Sequence, residues 1–221
     1  LNPVMTIGKQ IAEALILHRN LDRRAALKRA IEMLDLVRIP EPAQRSKEYP
    51  HQLSGGMRQR VMMAMAIACG PSLLVADEPT TALDVTIEAQ ILDLLRTLRR
   101  ERDMAVLLIT HDLGVIAENA ETVAIMYAGR LVEVSPVVEL FEEPRHPYTV
   151  GLLRSLPQEK GTPLRPIPGY VPKPGNLPDG CKFSDRCEYV IPECRTEEPV
   201  LRDIHSGHFA RCIRAEEIIF K

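Results

Sequence analysis

The sequence predicts an α/β protein in three parts. These are a helical subdomain over residues 1–69, a core with a parallel sheet over 70–156, and a loop-rich, cysteine-containing extension over 157–221. Three observations predict this. Two short apolar runs, 73–76 and 105–109, each end in polar residues and are separated by a helix-period segment, the pattern of strands buried on both faces of a parallel sheet. Upstream of them, apolar residues recur at helical spacing with no strand-like alternation. Downstream, half of the 18 prolines fall between 157 and 199, alongside four of the five cysteines, so that stretch is not more of the same core.

The length of 221 residues suits one ordinary domain with an extension, or two small domains. A hydrophobic fraction of 45% supports a core, built from Leu, Ile, Val, Met and Ala because aromatics are only 4% and tryptophan is absent. Lys+Arg 28 against Asp+Glu 30 gives a formal charge of −2, which offers no global electrostatic case for nucleic acid. No apolar run is long enough to span a membrane, and no signal peptide is visible. The chain opens on Leu-Asn-Pro, which reads as a fragment or a processed form.

In chain order, residues 3–19 carry Ile7, Ile11, Ala14 and Leu15 at helical spacing, with Pro3 suited to a first turn. Asp22 caps a second helix to about Val37, with Ala26, Ala30, Met33 and Leu34 as its apolar stripe. Its Arg23, Arg24, Lys28 and Arg29 read as a solvated face. Pro40 and Pro42 break the chain, and Tyr49-Pro50-His51-Gln52 leads to Ser54. A helix follows with Val61, Met65 and Ala68 on one face, and Cys69 reads as a small buried apolar residue. Residues 85–102 form a helix that buries Ile87, Ile91, Leu94, Leu95 and Leu98. Residues 122–127 and 130–134 form a hairpin around Ala128-Gly129. Ser135-Pro136 caps a short helix to Phe141, and His146-Pro147-Tyr148-Thr149 starts another to about Leu156.

The chemistry concentrates between residues 53 and 84. Asp77 and Glu78 emerge at the carboxyl end of the first strand, where open α/β sheets bind ligands. One carboxylate can hold Mg²⁺, which needs only one or two protein oxygens. The next can polarise a water for attack on a phosphate. The plainer alternative is a strand ending in two solvated acids. Ser54-Gly55-Gly56 opens a helix, with Ser as N-cap and glycines that let backbone N–H groups approach an anion; alone it is an ordinary loop. His111, in Thr110-His111-Asp112, ends the second strand and faces the same crevice as the acids.

Cys181, Cys187, Cys194 and Cys212 follow the spacing C-x5-C-x6-C-x17-C. Disulfides, a zinc site and an iron–sulfur cluster are all readings of it. Disulfides fit poorly with a nucleotide site in a reducing compartment. Zinc lacks the usual short Cys pairs, and four scattered thiolates suit a cluster. His205 and His208 are candidates to replace one ligand.

The ordered set LSGGMRQR, LLVADEP and ALD resembles the ATP-binding cassette (ABC) ATPases: signature motif, Walker B strand and D-loop. HPYT followed by IPGYVPKPGNLPDGCKFSDRC resembles the C-terminal extension of the oligopeptide/dipeptide branch of ABC importer ATPases, so the likeness runs from Leu1 to about Ile213. It implies a partial ABC-type P-loop NTPase domain that hydrolyses ATP with Mg²⁺ to energise peptide import. By that resemblance Asp77 holds Mg²⁺, Glu78 is the general base and His111 contacts the γ-phosphate. Ser54, Gly55, Gly56 and Gln59 serve the nucleotide of the other subunit, and Asp84 contacts it across the dimer. The resemblance also implies, as in some members of that branch, a 4Fe-4S cluster on the four cysteines, with zinc as the alternative. The implied partners are a second ABC ATPase subunit, identical or not, two membrane permeases and, indirectly, a substrate-binding protein. The implied location is the cytoplasmic face of the membrane, peripherally bound.

The family's Walker A loop, adenine-stacking aromatic and Q-loop glutamine are not found in the 221 residues, so the sequence reads as the C-terminal two-thirds of a subunit. The expectation is that this chain alone hydrolyses no ATP, binds it no tighter than about millimolar and tends to aggregate at an unpaired sheet edge. Two rival readings are a soluble ABC ATPase of DNA repair or translation and a non-catalytic metal- or cluster-binding interaction module.

Overall fold

A computed structural model describes residues 1–81, 83–156 and 166–217. Ala82 of the D-loop and the start of the proline-rich stretch, 157–165, lie outside the described residues. The chain forms two compact units, Leu1–Leu113 and Gly114–Lys221. The sequence boundaries at 69/70 and 156/157 follow composition, whereas the compact units divide at 113/114.

The first unit begins with helices α1 (Ile7–Arg19) and α2 (Arg23–Leu36), the short α3 (Pro42–Arg45), and α4 (Gly55–Ile67). Asp22 caps α2 by accepting from the N–H groups of Arg24 and Ala25 at 2.8 and 2.9 Å. Ile7, Ile11, Leu15, Ala26, Ala30, Met33, Leu34, Val61 and Ala64 are all buried, so the three longer helices share one apolar core. The first helix starts at Ile7 and not near Pro3. The buried side chain of Gln10 donates to the carbonyls of Asn2 and Met5 and accepts from the Asn2 N–H, holding residues 2–5 in a turn. Buried Arg60 on α4 donates to Val37 O at 3.0 Å and Gln90 Oε1 at 2.9 Å. Cys69 falls just past α4, half-buried, with its thiol 3.6 Å from Ala14 O.

Strand β1 (Leu73–Asp77), helix α5 (Val85–Arg102) and strand β2 (Ala105–Ile109) follow as a parallel βαβ unit. The register pairs Leu73 with Ala105 and Asp77 with Ile109. One face of this pair is covered, with Leu74 and Ala76 buried. The other is not: Leu73, Val75, Leu107 and Ile109 are 52%, 54%, 51% and 44% exposed. The apolar runs predicted strands buried on both faces. Among the described residues nothing packs over the second face, so alternation replaces full burial.

The second unit continues with α6 (Leu113–Asn119), the hairpin β3 (Thr122–Tyr127) and β4 (Arg130–Pro136), α7 (Val137–Glu142) and α8 (Pro147–Arg154). Ala128 and Gly129 both adopt positive φ, 46° and 78°, as the two-residue turn between Tyr127 and Arg130 requires. The extension contributes β5 (Arg202–His205) and β6 (His208–Ala210), and β6 pairs with β4. The sheet order is therefore β3-β4-β6-β5, all antiparallel. The tail is woven into the hairpin's sheet. Under it, Tyr127, Tyr148 and Phe183 form an aromatic cluster with ring centroids 4.7–5.5 Å apart.

One carboxylate ties three segments of this unit. Glu133, wholly buried on β4, accepts from the N–H groups of Arg145 (2.6 Å) and His146 (3.0 Å). It also faces Nε2 of buried His208 on β6 at 2.7 Å. Removing it strands those donors in the core. Glu133→Ala is therefore expected to lower stability by about 3–5 kcal/mol, the range for breaking a buried pair from one side. Glu139→Ala, whose partly exposed carboxylate lies 3.7 Å from His208, should stay within about 0.5 kcal/mol. Urea denaturation of the two variants checks both.

Candidate nucleotide site and a cysteine pocket

The parallel register sets the nucleotide site. Asp77 is the last residue of β1 and pairs with Ile109, the last of β2, so the residues that follow each strand share one edge. Glu78 then donates its N–H to Ile109 O at 2.9 Å and turns the chain with φ +45°, uncommon for a residue with a Cβ. From the other strand, His111 brings Nδ1 to 3.1 Å from Glu78 Oε1. Thr81 donates its hydroxyl to Glu78 Oε2 at 2.9 Å, and its N–H to Glu78 O at 3.2 Å. The hydrogen bond to His111, and then that to Thr81, hold the Glu78 carboxyl below its usual range. The structure thus brings Asp77, Glu78 and His111 to one edge. It adds Thr81, which lies just before the ALD motif and carries no sequence signal of its own.

Ser54, Gly55, Gly56 and Gln59 lie on the first turns of α4. Ser54 Oγ accepts from Met57 N–H at 3.3 Å, the N-cap its sequence suggests. Ser54 and Gly55 are exposed. Gly56 has a packing reason as well, since a Cβ there would come within 2.7 Å of Ile87 on α5. Asp84 caps α5, accepting from Ile87 N–H at 2.9 Å. The signature turn and the D-loop end thus meet through Ile87 and through Leu83, which lies 3.8 Å from a Cβ built on Gly55.

In the second unit, Cys181, Cys187, Cys194 and Cys212 line one small cavity of about 20 Å³, together with His146, Phe183, Ser184 and Tyr189. No two of the thiols are joined by a disulfide. Burial pushes the Cys181 thiol up, that of Cys187 to about 11 and that of Cys212 to about 12, with neighbouring cysteines raising each further. Among the described residues no three His, Cys, Asp or Glu side chains converge closely enough to hold a metal ion. Neither His205 nor His208 is among the residues lining the cavity, and His208 Nε2 is engaged by Glu133. The histidine that does line it is His146, sequence-read only as a helix start. Its Nδ1 accepts from Tyr148 N–H at 3.1 Å, and burial pushes its pKa down to about 3. The buried Ser184 Oγ has no hydrogen-bond partner among the described residues.

Comparison with known proteins follows the same division. Residues 1–81 match the family described as ABC transporter, and residues 132–194 match the one described as oligopeptide/dipeptide transporter, C-terminal region. The oligopeptide transport ATP-binding protein AppD of Bacillus subtilis is 52% identical over 98% of this chain and 67% of its own length. A Brucella melitensis protein assigned to peptide import as an ATP-binding component is 54% identical over 99% of this chain and 67% of its own. The dimeric ATP-binding cassette MJ0796, solved in a post-hydrolysis state with ADP and Pi, superposes with a TM-score of 0.54 at 30% identity. That match covers 62% of this chain and 59% of the other. With the strand-end acids, the signature turn and the cysteine-bearing tail in place, the chain belongs to the ABC ATPase family, in its oligopeptide/dipeptide transporter branch.

Proposed function

We propose that this chain works within an ATP-hydrolysing subunit that drives import of peptides through a membrane transporter. The observation that carries the reading is the convergence of Asp77, Glu78 and His111 on the carboxyl edge of one parallel strand pair. Relatives named for oligopeptide transport and peptide import support the substrate class over the DNA-repair and translation readings. The partners are a second ATP-binding subunit, two membrane permeases and, through them, a substrate-binding protein. The location is the cytoplasmic face of the membrane, held peripherally; no helix among the described residues is long and apolar enough to cross one.

The residues fit this chemistry. Exposed Asp77, ending β1, leaves a carboxylate oxygen for Mg²⁺, which keeps most of its waters. When bound, the ion neutralises charge on the phosphates. Glu78, already ionised at neutral pH, takes the proton of a water as that water's oxygen bonds to the γ-phosphorus and the bond to ADP breaks. His111 turns its imidazole from Glu78 to a γ-phosphate oxygen. Ser54, Gly55, Gly56 and Gln59 present a helix N-terminus to the nucleotide of the second subunit, and Asp84 orders α5 behind them.

The cysteine pocket holds an iron–sulfur cluster in this reading, with zinc as the alternative occupant. Four thiols lining one cavity supply the donor chemistry, and the Ser184 hydroxyl, without a partner among the described residues, adds a donor for an anionic occupant. In this reading side-chain rotation brings the sulfurs together, since among the described residues no three ligands converge closely enough to hold a metal ion.

Two measurements check these assignments. In the full-length, assembled subunit, Glu78→Gln should leave ATP binding intact and cut turnover by about 10²-fold or more; turnover within a few-fold of the unaltered protein refutes the base. Protein purified without oxygen should be brown and contain iron and labile sulfide. One zinc per chain in colourless protein decides for the alternative, and metal-free protein refutes both.

A further inference from the structure

Glu78 offers two carboxylate oxygens, and they have different partners. Oε1 faces His111 Nδ1 at 3.1 Å, and Oε2 accepts the Thr81 hydroxyl at 2.9 Å. The partners are tethered differently. His111 follows the other strand, and its side chain is 81% exposed. Thr81 sits in the same turn as Glu78, whose carbonyl also accepts the Thr81 N–H. A phosphate beside His111 competes with Oε1 for the imidazole. It has no such effect on the hydroxyl, which moves with the turn.

The Glu78 backbone is already fixed. Its N–H is bonded to Ile109 O and its φ lies at +45°, so the direction of its Cα–Cβ bond is set by the sheet edge. What remains free are the side-chain torsions, the last of which is broad and two-fold. Once His111 leaves, nothing but Thr81 restrains the carboxylate among the contacts described.

We propose that Thr81 is a positioning residue for ATP hydrolysis: its hydroxyl holds Oε2 of Glu78 so that Oε1 is presented to the attacking water when His111 engages the phosphate. This rests on the reading of Glu78 as the general base. Two features fit it. Thr81 is exposed in the turn, so its hydroxyl is not needed to satisfy a buried group. Its side chain is also short, so holding the bond costs little rotamer freedom.

The test uses the full-length subunit in its assembled transporter, with Thr81→Val, Thr81→Ser, Glu78→Gln and the Glu78→Gln/Thr81→Val double variant. Thr81→Val should lower kcat about tenfold, a fraction of what a general base supplies, with KM for ATP within about twofold. Thr81→Ser, which keeps the hydroxyl, should restore most of the rate. In the Glu78→Gln background, Thr81→Val should cost nothing further, because the group it positions is already gone. Thr81→Val turning over at the unaltered rate overturns the proposal, as does an equal additional loss in the Glu78→Gln background. Failure of the underlying reading looks different: Glu78→Gln itself then retains near-normal turnover.

Discussion

The nucleotide site depends on the register of two five-residue strands. Asp77 is paired with Ile109, and the next N–H, from Glu78, closes on the Ile109 carbonyl. That bond ends the ladder, Glu78 turns with a positive φ, and its side chain meets His111. A slip of one residue would reverse the faces of the strand and carry Asp77 away from the shared edge. The helix between the strands is tied to the same edge from the other side. Asp84 caps it, and its Ile87 leaves no room for a side chain at Gly56. The acids, the signature turn and the D-loop end are therefore consequences of one packing arrangement.

The second unit has its own constraint. Glu133 lies in the strand that β6 joins, and it accepts donors from the segment leading into α8 and from His208 on β6. Around it, Glu198 draws Arg130 and Lys182 to 2.8 and 3.2 Å, binding the cysteine loops to the start of β4. His146, whose N–H Glu133 holds, also lines the thiol cavity. One wall of the pocket is thereby tied to the sheet through a buried carboxylate, and no disulfide joins its cysteines.

Much of this was legible in the residues. Apolar runs bounded by Pro71 and by Asp77-Glu78, or ending in Thr110-His111, located both parallel strands, and helical spacing gave residues 85–102 to the residue. The Ala128-Gly129 turn announced the hairpin. What escaped had weak local signals. Gln10 folds back on residues 2–5, which no periodicity reveals. Strands β5 and β6 are four and three residues long, too short to show an alternation. Burial on both faces was expected of Leu73 and Val75, because an apolar run does not say what covers it. Thr81 and Ser184 carry generic hydroxyls whose roles depend on partners fixed only by the fold. His146 was visible as a cap, but its place beside four thiols depends on segments nearly seventy residues apart.

The central claim is that Glu78, held at the end of β1 and exchanging its contact with His111, is the group that faces the attacking water. A structure of the assembled, full-length subunit trapped with ADP and vanadate, resolved well enough to show waters, tests it most directly. The account predicts Glu78 Oε1 in hydrogen-bond contact with the in-line oxygen, Thr81 still on Oε2, and His111 on the vanadate. A water held by another carboxylate, with Glu78 turned away and still bonded to His111, would contradict it.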